Sequence, residues 1–353
     1  MKLPVSLLCI PCLVLTLHTG AQTTAIPDPN FEQALIDLGF DSGKPDGVAL
    51  NIFLESIIEL NVPERNISDL TGIESCVSLE RLYCQQNNLT SLDLSNNPYL
   101  WRLFCNDNMI ENLDLSNHVY LENLNCHNNN LSQLQLDNCS SLHTLYARNN
   151  SLGSLDLSGS PLLDGLNCDH NELNALDVSA NTQLESLYCN DNQLSSLILD
   201  VHGELEELNC SNNLLTTLNL QSLVDLDELA CANNQLNCLD LNTGAPCTLD
   251  ISDNAFTAEG NPDLYCVAVY NPDWAASALA PFFDNAVEFL TDCGADCGTL
   301  STHGTIAGID ASSARVLATH DLMGRNVDIE TATSTVLIQR LENGRVRKVM
   351  YVE

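Results

Sequence analysis

Hydrophobic positions recur with a fixed period of 21 residues through the middle of the chain, between Leu79 and Pro246. Eight successive copies approximate the pattern L-x-x-L-x-C-x-x-N-x-L-x-x-L-x-L-x-x-x-x-x. The first leucine recurs without slip at Leu79, Leu100, Leu121, Leu142, Leu163, Leu184, Leu205 and Leu226. The asparagine recurs at Asn87, Asn108, Asn129, Asn150, Asn171, Asn192, Asn213 and Asn234. A spacing kept through every copy is a property of the fold and not of composition.

The L-x-L-x-C part of each copy alternates between apolar and variable residues, which predicts a short β-strand with one buried face. One copy is too short to bury its own leucines, so neighbouring copies must stack and their strands must form one sheet. A fixed period of about 20 to 29 residues around this core is the leucine-rich repeat signature. The predicted fold is therefore a leucine-rich repeat solenoid, with a curved parallel β-sheet and a short irregular convex side.

Two polar or reactive residue types follow the same period. The repeated asparagine comes where the chain turns inward, and its amide can donate to and accept from the turn backbone of adjacent copies. The inward strand position carries Cys84, Cys105, Cys126, Cys168, Cys189, Cys210 and Cys231. A single file of thiols lacks the convergent geometry of a metal site, and parallel register disfavours a disulfide. We interpret both columns as structural.

The regions outside the repeats differ in composition. The N-terminus begins with the basic residue Lys2, continues with an apolar stretch and ends in small residues. This is the pattern of a secretory signal peptide that is cleaved before Gln22. Asp28 and Pro29 are typical of a helix start, which predicts a helical N-terminal cap. The predicted divisions are a signal peptide 1–21, an N-terminal cap 22–57, repeats 58–256, a C-terminal cap 257–297, a linker 298–312 and a small β tail domain 313–353.

The formal net charge is -35, from 12 basic and 47 acidic residues. This balance excludes a nucleic-acid partner, because binding there requires Lys and Arg to neutralise phosphates. It also argues against anionic lipid surfaces. No Lys or Arg occurs from Asn149 to Ala314, and half of the basic residues follow that stretch. We expect no transmembrane segment and no cofactor, and a protein that is secreted or held on the outer cell surface.

The outward residues of the strands form a concave exposed face. They change from aromatic and cationic near the N-terminal end to acidic near Glu207 and Glu228. Exposed Tyr and Arg are enriched at binding hot spots, although Tyr also suits an exposed strand position for structural reasons. The predicted ligand-binding residues are Arg81, Tyr83, Arg102, Phe104, Tyr146, Arg148 and Tyr188.

Catalysis is not indicated. The sequence has no nucleophile elbow, no HExxH and no phosphate loop, and its histidines fall at non-equivalent repeat positions or in the tail. We expect a non-catalytic protein that binds a protein or a glycan through its concave sheet. The alternative is a structural surface-layer component whose acidity recruits divalent cations.

Two stretches carry a resemblance to a known family. The sequences IPDPNF (26–31) and ISDLTGI (67–73), with the repeat LYC…NxLTSLDLS, resemble exported leucine-rich repeat proteins of Bacteroidetes-type bacteria. The resemblance covers essentially the whole chain after the signal peptide. It implies a secreted or surface-bound protein, but it names no ligand, because such folds host many partners.

The C-terminal regions extend this resemblance. The segment from Asn261 to Cys293 is similar to the C-terminal cap of the same family, which implies a disulfide between Cys266 and Cys293. A second expected pair is Cys238 with Cys247, which flank the last repeat.

The final segment is similar to the C-terminal sorting domain of type IX secretion, although residues 335–338 replace the usual Gly-x-Tyr. The similarity implies outer-membrane secretion machinery as a partner; the alternative is an independent β domain. The residues that carry it are Asp321, Gly324, Arg325, Gly344 and Lys348.

Overall fold

The computed structural model describes residues 22–199, 201–241, 255–284, 287–291 and 293, and the backbone of 319–320, 336–340 and 346–350. The predicted signal peptide and linker lie outside these residues. The chain forms two compact units. The first contains Met1–Leu215, Ser222–Asn234 and Thr248–Glu259, and the second contains Thr216–Gln221, Gln235–Cys247 and Gly260–Glu353.

Short strands dominate the described residues. The helices are α1 (Pro29–Leu38), α2 (Asn51–Leu54) and α3 (Pro272–Ala278), with 3₁₀ turns at Ile73–Ser75 and Ala280–Phe282. The strands are β1 (Thr23–Ala25), β2 (Val48–Leu50), β3 (Glu59–Asn61), β4 (Arg81–Tyr83), β5 (Arg102–Phe104), β6 (Asn112–Asp114), β7 (Asn123–Asn125), β8 (Gln133–Gln135), β9 (Thr144–Tyr146), β10 (Gly165–Asn167), β11 (Ser186–Tyr188), β12 (Glu207–Asn209), β13 (Thr217–Asn219), β14 (Glu228–Ala230), β15 (Cys238–Asp240), β16 (Phe256–Thr257), β17 (Cys266–Ala268), β18 (Glu288–Leu290), β19 (Thr319–His320), β20 (Val336–Arg340) and β21 (Val346–Met350).

The first unit is built on one parallel sheet of ten strands, in the order β3-β4-β5-β7-β9-β10-β11-β12-β14-β16. Adjacent strands pair at equivalent repeat positions, so that Leu82 lies beside Leu103 and Leu103 beside Leu124. These inward leucines are completely or almost completely buried. Each repeat therefore contributes one turn of a solenoid, and the predicted leucine-rich repeat fold is confirmed.

The asparagine column bonds successive turns together. The Oδ1 of Asn108 accepts the N–H of Leu89 at 3.0 Å, and its Nδ2 donates to the carbonyl of Cys84 in the preceding repeat at 3.0 Å. The same Nδ2 donates to the carbonyl of Cys105 at 3.1 Å in its own repeat. The equivalent bonds recur at Asn129, Asn150, Asn171, Asn192, Asn213 and Asn234. The structural interpretation of this column is confirmed.

The cysteine column is packed inside the sheet. All seven strand cysteines have no exposed surface, and burial raises the pKa of Cys105 and of Cys210 to about 12. Such thiols are protonated at neutral pH and behave as small apolar side chains. The predicted role of this column is confirmed.

A second column of buried side chains, most of them polar, lies in the second half of each repeat, away from the strands of the main sheet. The repeat pattern read from the sequence did not reveal it. Its members are Asn97, His118, Cys139, Ser160, Asn181 and His202. The two ring nitrogens of His118 lie 3.0 and 3.2 Å from the carbonyl oxygens of Leu115 and Leu94. The view that the histidines occupy non-equivalent positions was therefore wrong for His118 and His202, which share one repeat position and contact backbone carbonyls.

The N-terminal helix is bonded to the first turn of the solenoid. Asp28 caps α1 by accepting the N–H groups of Asn30 and Phe31, and its other oxygen accepts the N–H and hydroxyl of Ser68. Burial raises the pKa of Asp28, but the hydrogen bonds from these partners outweigh it, so that the net pKa is lowered. Gly39 ends the helix at a φ of 82°, where glycine is favoured.

The part of the repeat opposite the main sheet is less irregular than predicted. In the first unit β6 and β8 pair in parallel there, with Leu113 beside Leu134. The alternation Leu113-x-Leu115 has the period of a strand, and this second apolar alternation is what allows the pairing. The convex side, predicted to be short and irregular, contains one short pair of strands in these repeats.

The second unit contains a parallel sheet in the order β13-β15-β17-β18, with α3 following β17 in sequence. A disulfide joins Cys266 to Cys293, with the two Cα atoms 6.0 Å apart. Cys238 is also disulfide-bonded, whereas Cys247, its expected partner, lies outside the described residues.

A further sheet, in the order β19-β20-β21, is antiparallel. Of the residues predicted for the sorting tail, Lys348 lies in β21, where it pairs with Ile338. The others, Asp321, Gly324, Arg325 and Gly344, lie outside the described residues.

Candidate functional site

The exposed face of the ten-stranded sheet carries all seven predicted ligand-binding residues. In each strand the central leucine points inward, while the residues before and after it are partly or fully exposed. Because adjacent strands are in register, equivalent side chains form columns along the sheet. We call this surface the strand face.

Four of the predicted residues come together at the N-terminal end of the strand face. The rings of Tyr83 and Phe104 meet edge to face with centroids 5.4 Å apart. The guanidinium of Arg102 lies 5.8 Å from the Phe104 ring and 4.6 Å from the ring of Trp101. Arg81 lies 5.6 Å from the same Trp101 ring. Arg81, Tyr83, Trp101, Arg102 and Phe104 form one cluster, which we call the aromatic–cationic cluster.

The charges of this cluster are unevenly compensated. The Nε of Arg81 forms an ion pair with Glu59 on the neighbouring strand β3 at 2.7 Å. The Nε of Arg102 is buried and has no hydrogen-bond partner among the described residues. Its guanidinium instead contacts aromatic rings, an arrangement favoured by the negative potential of the ring faces. The terminal nitrogens of Arg102 also form no hydrogen bond or ion pair with a described residue, so they have donors available for an anionic or carbonyl group of a ligand.

The other three predicted residues lie apart from the cluster. Tyr146 is 47% exposed on β9, and β7 separates that strand from β5. Arg148 follows β9 and lies near Asp107. Burial raises the pKa of Asp107, but hydrogen bonds from Asn128 and Asn106 and the positive charges of His127 and Arg148 together lower it by more, so the net pKa is lowered. Tyr188 belongs to the acidic end of the face. The seven predicted residues therefore share one face of the sheet but do not form a single contact site.

The acidic end is organised around Tyr188. Its hydroxyl donates a hydrogen bond to Glu207 on the neighbouring strand β12. Burial raises the pKa of Tyr188, and the bond to Glu207 and the charge of Glu228 raise it further. Tyr188 is therefore a permanent donor at neutral pH, and its hydroxyl is already occupied.

An open groove of about 540 Å³ lies beside the aromatic–cationic cluster. It is lined by Glu80, Tyr99, Trp101, Tyr120, Glu122 and Ser141. Sequence reasoning missed these residues because they precede the strands and do not lie in the columns of the strand face. A signal was nevertheless present, since Tyr99 and Tyr120 are one repeat apart, and so are Glu80, Trp101 and Glu122.

Within the described part of the chain, no group of three or more His, Cys, Asp or Glu side chains is placed to hold a metal ion. Among the same residues no helix has the length and apolar character needed to span a membrane.

No protein-family model and no curated protein sequence matches the chain. Solved structures give matches of low similarity. The functional domain of InlJ from Listeria monocytogenes, described as including a cysteine ladder, is 25% identical with a TM-score of 0.48, over 77% of this chain and 71% of that one. A leucine-rich repeat protein of Leptospira interrogans is 20% identical with a TM-score of 0.49, over 67% of this chain and 62% of that one.

The leucine-rich effector YopM from Yersinia pestis is 26% identical with a TM-score of 0.47, over 61% of this chain and 56% of that one. Because each of these TM-scores is below 0.5, the fold assignment rests on the repeat and on the register of the sheet.

Proposed function

We propose that this leucine-rich repeat protein is an exported, non-catalytic binding protein that recognises a protein or a glycan through the strand face. The observation that carries the proposal is the aromatic–cationic cluster. It places two arginines and three aromatic side chains side by side on a partly exposed surface. Export is supported by the signal-peptide pattern and by the resemblance of the C-terminal segment to a sorting domain.

Ligand binding explains the composition of the cluster better than a contribution to the stability of the solenoid does. The leucines on the other side of the same strands already bury the core, so the solenoid does not need Tyr83, Phe104 or Arg102 for its packing. Tyr, Trp and Arg are the residue types that dominate binding hot spots, and here they are adjacent. Aromatic faces and guanidinium donors contact protein surfaces and sugar rings alike.

The first test is a glycan and surface-protein array probed with the full chain. A ligand found there is titrated against the double variant Tyr83→Ala, Phe104→Ala and against Arg102→Ala. Truncation of a hot-spot residue weakens binding by at least about 30-fold. We expect a loss of that size with unchanged thermal unfolding, because these side chains lie outside the core.

The matched control is the double variant Thr144→Ala, Ser186→Ala, which truncates the strand face elsewhere at the repeat position of Arg102. It should bind as the unaltered chain does. Equal binding by the cluster variants would contradict the strand-face assignment. Ordered multimers that dissolve in a chelator, with no ligand on the array, would favour the surface-layer alternative.

A further inference from the structure

The groove beside the cluster combines aromatic rings with two carboxylates. Tyr99 and Tyr120 are each 55% exposed, and their rings stack with centroids 6.3 Å apart and an interplanar angle of 26°. Trp101 contributes a third ring to the same lining. Two neighbouring exposed tyrosines beside a partly buried tryptophan form an apolar surface patch of the kind that marks a binding groove.

The two carboxylates flank the tryptophan in successive repeats. The backbone N–H of Trp101 donates to the backbone carbonyl of Glu80 at 2.9 Å, and the backbone N–H of Glu122 donates to the backbone carbonyl of Trp101 at 2.8 Å. This register places Glu80 and Glu122 on either side of Trp101, roughly 10 Å apart at two strand spacings. Within the described residues neither carboxylate side chain forms a hydrogen bond or an ion pair.

The electrostatics of the groove favour a cation. Its lining contains two acidic side chains and no Lys, Arg or His. Arg81 is paired with Glu59, and the guanidinium of Arg102, 4.6 Å from the Trp101 ring centroid, offsets at most one of the two carboxylates, so the groove keeps a net negative charge. Aromatic faces attract ammonium groups, and the attraction is strongest for Trp. The chain as a whole carries a net charge of -35, which draws basic partners toward it.

We propose that this groove binds a lysine side chain presented by a basic segment of a partner protein. The alkyl stem of the lysine packs on Tyr99 and Tyr120, while its ammonium group lies between the carboxylates of Glu80 and Glu122. The volume of about 540 Å³ accommodates the side chain together with flanking backbone. This site lies outside the predicted strand-face residues, and it can be tested without knowing the ligand of the strand face.

Trp101 itself supplies the readout, because the chain contains only two tryptophans, at positions 101 and 274. In the full-length Trp274→Phe variant, all tryptophan fluorescence comes from Trp101, and the groove variants below separate binding in the groove from binding at the neighbouring cluster. The probes are the tetrapeptide Gly-Lys-Lys-Gly and its neutral isostere in which norleucine replaces lysine. We expect a saturable change in Trp101 fluorescence with the lysine peptide, and a response at least roughly fivefold weaker with the isostere.

Matched variants separate specific from general electrostatics. Glu80→Gln, Glu122→Gln should weaken binding by up to roughly fivefold for each carboxylate. Glu185→Gln, Glu206→Gln makes the same change of charge at the same repeat position outside the groove lining, and it should leave binding unchanged. Tyr99→Ala, Tyr120→Ala should abolish saturation without changing thermal unfolding, since both side chains are more than half exposed.

Three results would overturn the proposal: equal binding of the norleucine peptide, equal weakening by the control pair, or no saturable response to lysine. A neutral oligosaccharide that changes Trp101 fluorescence while the lysine peptide does not would assign the groove to glycans instead. None of these results touches the strand face, whose own test uses Tyr83, Phe104 and Arg102.

Discussion

Asp169 is a partly buried carboxyl group on the strand face, at the position that Arg148 occupies one repeat earlier. One of its carboxylate oxygens is buried and has no hydrogen-bond partner among the described residues. Burial raises the pKa of Asp169 to about 6, although nearby hydrogen bonds and His170 act in the opposite direction. The charged form is therefore disfavoured in the folded protein, whereas the unfolded chain carries it freely.

The variant Asp169→Asn should be more stable than the unaltered chain at neutral pH. Between about pH 4, the ordinary value for Asp, and about pH 6, the folded chain binds the proton more tightly than the unfolded chain does. Stability from this group is thus fully present below that window and is lost as pH rises through it. The variant gains most above about pH 6 and nothing below about pH 4.

Thermal unfolding of both proteins at several pH values checks this prediction. Glu172→Gln is the control, because it removes the same charge from an exposed side chain of the same repeat. A gain for Asp169→Asn that persists at acidic pH, or an equal gain for Glu172→Gln, would contradict the role of the buried carboxylate.

At the scale of single residues, prediction from sequence succeeded where each repeat copies its neighbour. Leu82 and Asn87 occupy invariant positions of the repeat, and Cys84 occupies one where only Ala147 departs from cysteine, so their burial follows from the period alone.

Trp101 was missed because its equivalents in the neighbouring repeats, Glu80 and Glu122, share no chemistry with it. Tyr99 was missed because its column keeps a tyrosine only at Tyr120 and changes to Ser141 in the next repeat. A residue that interrupts a column can be recognised as part of a site only when its neighbours in space are known.

At the scale of the repeat, the side chains of the asparagine column connect each turn to the next. Asn129 accepts the N–H of Ile110 and donates to the carbonyl of Cys105, one repeat earlier. It also donates to the carbonyl of Cys126 in its own repeat. All of these backbone groups are buried, so they have no water to replace a lost partner.

Asn129→Ala should therefore lower the free energy of unfolding by roughly 1–3 kcal/mol, because it leaves buried backbone groups without partners. Chemical denaturation of the full chain measures the change. The adjacent variant Asn130→Ala is the control: that side chain is exposed, and its loss should change stability by no more than about 0.5 kcal/mol. Equal effects of the two variants would show that the column does not connect the turns.

The second polar column shows why the far side of the repeat was harder to predict. His118, Cys139 and Asn181 occupy one repeat position, and each contacts a backbone carbonyl of the preceding repeat. Their side chains differ, so the sequence shows no conserved letter at this position, only a shared ability to donate a hydrogen bond. The strands β6 and β8 were missed for a related reason, since their short Leu-x-Leu alternation was interpreted as part of an irregular segment.

At the scale of the molecule, the buried residues are nearly the same in every repeat, whereas the exposed residues of the strand face change along the sheet. The interior columns of Leu, Cys and Asn are nearly identical along the first unit, whereas the strand face changes from aromatic and cationic to acidic. A repeat fold makes this separation possible, because outward residues vary without disturbing the packing. The fold was predictable from the interior, but the ligand depends on the exterior, where no period constrains the residues.

The most direct test of strand-face binding is hydroxyl-radical footprinting of the full chain, with and without the ligand selected on the array. Aromatic side chains label readily, and both ends of the strand face carry them. We predict protection of Tyr83 and Phe104 by the ligand, with no change at Tyr188, whose hydroxyl is bonded to Glu207 at the acidic end. Protection at Tyr188 or at Tyr270 of the second unit, with Tyr83 and Phe104 unchanged, would contradict the proposed binding site.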